Sequence, residues 1–128
     1  MRKSVLTEKS FNFAIRIVNF YRYLHQEKME YVLSNQLLRS GTAIGALISE
    51  GCYAESKLDF IHKYGIAQKE CNETIYWLKL LFRTNYMNQK EFDSLENDAI
   101  ELIKIISSSI LTAKKSIKKP KHPTPDIV

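Results

Sequence analysis

The first candidates for metal chemistry are Asp59 and His62, which stand three residues apart. On a helix this spacing puts a carboxylate and an imidazole on one face, as in one half of a di-metal bundle site. A complete site of that kind needs two acid-x-x-His pairs and two further glutamates. His25 and His122 have no acid at the matching position. We therefore predict solvated polar residues here, with no metal site and no cofactor.

The two cysteines, Cys52 and Cys71, are too few for a disulfide scaffold. If they lie on antiparallel helices joined by a turn near Glu55, they are offset by roughly 20 Å along the helix axes. This exceeds the ~7 Å between Cα atoms that a disulfide allows. We predict two reduced and mostly buried thiols.

The serines that could act as nucleophiles lie within helical patterns. Ser40, Ser49 and the run 107–109 have no evident base beside them, and no glycine-rich phosphate loop precedes a helix. Because function must be argued from a site, we predict that the protein is not an enzyme.

Basic residues are the remaining candidates. The chain carries 19 basic and 14 acidic side chains, a net charge of +5. Most of this excess lies in residues 114–128, which hold five lysines and one aspartate. The candidate phosphate contacts are a stripe at seven-residue spacing on the first helix, one further arginine on that helix, and the lysines near the C-terminus: Arg2, Lys9, Arg16, Arg22, Lys114, Lys115, Lys118 and Lys119.

Long helices must position these residues, because the 128-residue chain has only four glycines and three prolines. We predict helices over about 4–27, 32–53, 57–84 and 89–116. Ser56-x-x-Asp59 and Asn88-x-x-Glu91 are typical of helix starts. The short connections predict an all-α, up-down-up-down antiparallel four-helix bundle over residues 1–117. Residues 118–128, with three prolines, form a predicted basic and flexible tail.

The first helix has more apolar surface than a bundle needs. Its apolar residues spread over roughly 220°, against a little over ~100° for a surface helix. They are Phe11, Phe13, Ala14, Ile15, Ile17, Val18, Phe20, Tyr21 and Leu24. The excess indicates a second buried surface, most simply a partner subunit in a homo-oligomer. The alternative is that a few aromatic side chains are half exposed.

The second helix contains Gly41 and Gly45, although each mid-helix glycine costs about 1 kcal/mol relative to alanine. This indicates a close helix crossing, either against the aromatics of helix 1 or against those of helix 3.

Charged residues on helices 2 and 3 are expected to set their register. With a turn near Glu55, Arg39 lies level with Cys71, between Glu70 and Glu73. A charge-assisted pair would hold the two helices in place. The alternative is that Arg39, Glu50, Glu70 and Glu73 are all simply solvated.

Two ordered patterns are similar to a known family. The run from Gln36 to Gly51 reads QLLRSGTAIGALISEG, and the run from Ala67 to Leu78 reads AQKECNETIYWL and includes Trp77. Together they resemble the bacterial four-helix-bundle proteins encoded in intervening sequences of 23S ribosomal RNA genes. The accessory variability protein of diversity-generating retroelements belongs to the same structural family. The resemblance covers roughly residues 8–115, and Leu38, Leu47 and Ser49 depart from the pattern.

The resemblance implies a barrel-like homopentamer and supplies no catalytic residue. The retroelement relative has a basic surface, binds nucleic acid and associates with a reverse transcriptase. Leu38 stands where the pattern has an arginine, which weakens a basic patch at that place.

Two functional hypotheses follow. The first is a non-enzymatic homo-oligomer that binds RNA, DNA or a ribonucleoprotein through phosphate contacts. The second is a protein-interaction adaptor that does not bind nucleic acid. It is favoured by acidic residues in the first half of helix 4: Glu91, Asp93, Glu96, Asp98 and Glu101. With no signal sequence and no apolar run long enough for a membrane span, we expect a cytoplasmic protein.

Overall fold

A computed structural model describes residues 4–118 of the chain. They form four helices and no strand: α1 Val5–Gln26, α2 Leu33–Cys52, α3 Lys57–Arg83 and α4 Gln89–Lys118. The predicted all-α four-helix architecture is confirmed, and each predicted boundary lies within two residues of the observed one. Arg2, Lys119 and the rest of the predicted tail lie outside the described residues.

The helix starts follow local capping chemistry. Ser56 Oγ accepts the amide of Asp59 at 3.1 Å. Asn88 Oδ1 accepts the amide of Glu91 at 2.8 Å, and the Glu91 carboxylate accepts the amide of Asn88 at 3.0 Å. These bonds satisfy amides that lack a partner within the first turn of α3 and α4, so both helices begin where the sequence predicts.

Helix α2 begins differently, because a carboxylate four residues before Ser34 caps it. The Glu30 side chain, in a residue only 8% exposed, accepts the amides of Val32, Leu33 and Ser34 at 3.2, 2.8 and 2.7 Å. Met29 just before it has a φ of 52°, which turns the chain into this position. Burial by itself raises the pKa of Glu30, but the three amides outweigh it and the pKa lies below its usual value.

The four helices pack as neighbours in chain order. Helix α2 packs against α1 and α3, and α4 packs against α3, whereas α1 approaches α4 less closely. Among the described residues the diagonal pairs, α1 with α3 and α2 with α4, do not meet. One core fills the centre, and its fully buried members include Ile17, Leu24, Leu37, Ile44, Ile48, Leu78, Leu81 and Ile106.

The close crossing predicted for α2 lies against α1. A Cβ on Gly41 would stand 2.9 Å from two carbons of Ile17, and one on Gly45 would stand 3.2 Å from the backbone oxygen of Ser10. The neighbours are thus an aliphatic side chain and a serine backbone. An aromatic ring comes close at another glycine, Gly51, where Tyr64 of α3 would lie 2.6 Å from the added carbon.

Candidate nucleic-acid interface and the contacts that position it

Two of the predicted phosphate-binding residues lie in the seam between α1 and α4. Lys9 Nζ is 2.8 Å from Glu101 Oε1, and Arg16 is 2.5 Å from Asp98 and 2.9 Å from Ser94 Oγ. The hydrogen bond and charge of Glu101 raise the pKa of Lys9. The basic stripe of α1 thus faces the acids of α4, and each cation has a partner within the chain.

The third member of the stripe, Arg2, lies outside the described residues. Arg22 is exposed on α1 but near its C-terminal end, next to the loop that leads to α2. The structure therefore does not bring Arg22 together with the lysines near the end of α4.

The predicted lysines at the end of α4 have a different environment. Lys114 and Lys115 are exposed in the last turns, and Lys118 is the last residue of the helix. No acidic residue follows Glu101 within α4. Lys57, the first residue of α3, reaches the same region and donates to Ser116.

The antiparallel arrangement brings both ends of the described chain to one end of the bundle. Helix α1 begins there at Val5, and α4 ends there at Lys118. We call this end, with Lys57, Lys114, Lys115 and Lys118, the basic end. The segments that hold Arg2 and Lys119 are joined to it.

The charges between α2 and α3 form a connected network. Arg39 donates to Glu70 at 3.1 Å and also to Glu73, whose Oε2 in turn accepts the indole Nε1 of Trp77 at 3.0 Å. The register predicted for Arg39 is therefore observed, and Trp77 belongs to the same network. Closer to the turn between α2 and α3, Lys63 is 3.4 Å from Glu50, so a second pair links the same two helices.

The cysteines and the Asp59–His62 pair show no constellation for chemistry. Both cysteines are free: Cys71 is buried, as predicted, but Cys52 is exposed. Burial raises the pKa of the Cys71 thiol to about 12, and its Sγ donates to the carbonyl of Ala99 at 3.2 Å. Asp59 accepts the amide of Glu55 at 3.3 Å and so helps to shape the start of α3. Within residues 4–118 no group of three His, Cys, Asp or Glu side chains is placed to hold a metal ion.

Sequence reasoning missed a shallow groove of about 530 Å³ between α3 and α4. It lies at the end of the bundle opposite the basic end. Tyr76, Leu80, Phe82 and Phe92 provide its apolar walls, with Lys79, Arg83 and Glu96 around them. The rings of Phe82 and Phe92 stack with centroids 4.6 Å apart. In the sequence each of these residues is typical of either a core or a surface position. Only the packing of α3 against α4 shows that they line a groove.

No helix among the described residues combines the length and the apolar character needed to cross a membrane. No curated protein matches the chain.

A solved structure from Bacteroides thetaiotaomicron VPI-5482 is similar to the chain. It is described as a protein with unknown function from the S23 ribosomal protein family. The two sequences are 51% identical, and the match covers 83% of this chain and 98% of that one with a TM-score of 0.82. The model of the 23S rRNA-intervening sequence protein family matches residues 2–108. The four helices and these matches agree with the motif resemblance, and the chain belongs to the 23S rRNA-intervening sequence protein family.

Proposed function

We propose that this protein is a non-enzymatic homo-oligomeric bundle that binds RNA or DNA, free or in a ribonucleoprotein, through phosphate contacts at its basic end. One observation carries the proposal. The fold gathers Lys57, Lys114 and Lys115 at the end where the described chain both begins and ends, while Lys9 and Arg16 have acidic partners. Arg2 and Lys119, which are outside the described residues, are further positive charges of the sequence.

Phosphate contacts suit such an arrangement because they need positive charge but no fixed recognition surface. Lysines that neutralise phosphates release counterions, which gives affinity without sequence specificity and a steep dependence on salt. Base readout would need side chains placed against base edges or stacking platforms, and the basic end supplies neither.

Assembly would multiply these weak contacts. Support for a homo-oligomer comes from α1, where Phe11 is 65% exposed and Ile15 46% exposed while Phe13 and Ile17 of the same helix are buried. A monomeric bundle gains nothing from a phenylalanine and an isoleucine in water, whereas a partner subunit would bury them. Several basic ends in one particle would then bind a polyanion with an affinity greater than that of one chain.

Binding to generic RNA and DNA tests the proposal. Fluorescence anisotropy should detect a complex at micromolar protein in low salt, with affinity that falls steeply as salt rises. The variant Lys114→Gln/Lys115→Gln should bind more weakly and with a salt slope smaller by about 1.4 to 1.8, since each lost phosphate contact removes about 0.7 to 0.9.

A charge-matched variant provides the control. Lys9→Gln/Arg16→Gln also removes two positive charges, but from residues already paired with Glu101 and Asp98. It should bind nearly as the parent does. Equal losses in both variants would mean that only net charge matters, and no complex at low salt would refute nucleic-acid binding.

A protein-interaction adaptor is the second candidate function, and the α3–α4 groove favours it. The groove has aromatic walls, and Tyr76 at its edge is 57% exposed. Such a surface suits an apolar segment of a partner protein. The family resemblance makes a reverse transcriptase one candidate partner. Absence of nucleic-acid binding combined with binding of a partner protein that Tyr76→Ala abolishes would favour this function.

A further inference from the structure

Gly65 differs from the other glycines of the chain. A Cβ added at Gly41, Gly45 or Gly51 would meet Ile17, Ser10 or Tyr64 within 3.2 Å. A Cβ at Gly65 would meet nothing within 4 Å. Gly65 lies in the interior of α3 and has no positive φ. Neither packing within the chain nor backbone conformation therefore requires a glycine at this position.

An unexplained glycine in a helix interior has a measurable cost. Alanine at such a position would stabilise the helix by about 1 kcal/mol. A backbone free of side chains is useful where another surface approaches closely, as α1 does at Gly45. A surface that approached Gly65 would come from outside the described chain.

The position of Gly65 on α3 defines where that surface lies. Glu70 and Glu73 point towards α2, where they meet Arg39, and Gln68 points towards α4, where it donates to Ser107 at 2.7 Å. At 100° per residue, Gly65 lies beyond Gln68 on the side away from α2 and from the core. It faces outward from the α3–α4 pair.

Exposed apolar side chains continue this outer face. By the same helical geometry Leu58 and Tyr76 of α3 and Ile100 and Leu111 of α4 point the same way. All four are exposed, and all but Ile100 by more than half. We call this surface, with Gly65 near its middle, the α3–α4 face.

The opposite side of the bundle carries a second apolar surface. Ser10 and Ile17 of α1 meet α2, and Lys9 and Arg16 meet α4. Phe11 lies further round on the α2 side, so it points outward from the α1–α2 pair, with Ile15 and Val18 beside it. We call this surface the α1–α2 face. Among the described residues α1 does not meet α3, and α2 does not meet α4. The α1–α2 pair and the α3–α4 pair therefore form two opposite sides of the bundle, and the two faces lie on these opposite sides.

Phe11 and Gly65 stand at nearly the same height. Because α1 and α2 are antiparallel, the contact of Gly45 with Ser10 places Phe11 level with Ile44 of α2. The pairs Glu50–Lys63 and Arg39–Glu70 place Ile44 level with the first half of α3, about two residues beyond Gly65. The exposed phenylalanine and the open glycine are therefore within about one helical turn, or ~5.4 Å, along the bundle axis.

We propose that Phe11 of one copy packs over the Gly65 backbone of the next copy, so that the α1–α2 face of each chain binds the α3–α4 face of its neighbour. This inference rests on the homo-oligomer of the proposed function and specifies its interface. One chain supplies both a projecting ring and the gap that receives it, which makes a second copy the fitting occupant.

The geometry has a consequence for the assembly. Two different faces in contact make a head-to-tail interface, which gives a ring if the rotation between neighbours closes and an open array if it does not. The matching heights of Phe11 and Gly65 leave little translation along the bundle axes. The bundles would then stand side by side in parallel, and all basic ends would lie on one side of the assembly.

Directed cross-linking tests the interface. In a Cys52→Ser background, chains with Phe11→Cys are mixed with chains carrying Gly65→Cys and oxidised. A disulfide-linked dimer should form in the mixture and in neither variant alone, and both substitutions in one chain should give a ladder of linked oligomers. Cross-linking of Phe11→Cys chains with one another would indicate a two-fold interface and overturn the proposal.

The mass of the unmodified protein in solution separates failure of the assembly from failure of the interface. A monomer refutes the homo-oligomer and with it this interface. An oligomer that gives no cross-link between positions 11 and 65 refutes the interface alone.

Steric substitutions provide an independent test. Gly65→Leu fills the gap and should weaken association about ten- to a hundredfold, the usual effect of overpacking, as measured by analytical ultracentrifugation. Gly65→Ala is the matched control: it improves helix propensity similarly, but its small side chain should weaken association much less. Phe11→Lys should dissociate the oligomer, whereas Asn12→Lys, directed away from the α1–α2 face, should not. Unchanged association in both Gly65→Leu and Phe11→Lys would overturn the proposal.

Discussion

Replacing Gly41 by alanine tests whether the close crossing of α1 and α2 is rigid. The added Cβ would stand 2.9 Å from both Cγ1 and Cγ2 of Ile17 and 3.3 Å from its Cβ. Ile17 is fully buried, and a branched side chain has few rotamers in a helix. Because the Ile17 side chain is fully enclosed by its neighbours, it cannot move aside, and α1 itself must shift.

Two opposing effects set the size of the change. Alanine instead of glycine in a helix stabilises by about 1 kcal/mol. Inserting a methyl group into a packed core costs about 1–3 kcal/mol. Since both contacts at Gly41 are shorter than real Cβ atoms adopt, we take the upper part of that range. The net loss is then about 1–2 kcal/mol, which lowers Tm by roughly 4–8 °C in a domain of this size.

Urea unfolding at one fixed protein concentration measures this loss, because association would otherwise alter apparent stability. Ser49→Ala, at an exposed position of the same helix, is the control and should change stability by less than about 0.5 kcal/mol. The double variant Ile17→Ala/Gly41→Ala completes a mutant cycle. Truncating Ile17 alone should cost about 2–5 kcal/mol, but it also removes both carbons that the new Cβ meets.

The double variant should therefore be no less stable than Ile17→Ala alone, with a favourable coupling of about 2 kcal/mol. If Gly41→Ala is as stable as the parent, the crossing adjusts without cost, and close packing against Ile17 does not explain the glycine. Simple additivity of the two substitutions would lead to the same conclusion.

Three further outcomes are expected. Arg39→Ala should lose about 1 kcal/mol by urea unfolding, and less in high salt, because the ion pairs it removes are partly exposed; unchanged stability would mean that Arg39 is merely solvated. The lowered pKa of Glu30 implies stability that is present above its usual pKa of 4.5 and lost as pH falls below it, so Glu30→Gln should flatten the acid side of the stability profile. A thiol reagent should modify one cysteine per native chain, Cys52, and leave Cys71 unmodified until the protein unfolds, as peptide mapping would show.

The helices and their register could be predicted from the sequence because both depend on short-range rules. Ser56 and Asn88 mark helix starts through bonds to residues three positions away. The short turn after α2 fixes which residue of α3 lies beside Arg39, so counting from the turn places Glu70 and Glu73 correctly. Errors in counting do not accumulate over so short a connection.

Features that depend on contacts distant in sequence were not predicted. Lys9 and Glu101 are 92 positions apart, and their meeting depends on the tilt of α1 against α4 as well as on two intervening helices. Counting from turns gives the order of the helices but not this angle. The Glu30 cap was missed for another reason: it needs Met29 in a left-handed conformation, which is uncommon outside glycine and asparagine.

The pairing in the α1–α4 seam changes what the charge distribution means for function. In the sequence, a basic α1 and an acidic α4 look like two surfaces for two partners. In the structure these charges meet one another at Lys9–Glu101 and Arg16–Asp98, where α1 and α4 otherwise approach least closely. Such pairs, with side chains about half exposed, contribute little stability. Lys57, Lys114 and Lys115 at the basic end take part in no ion pair within the described residues, so the proposed phosphate contacts would not have to break the α1–α4 seam.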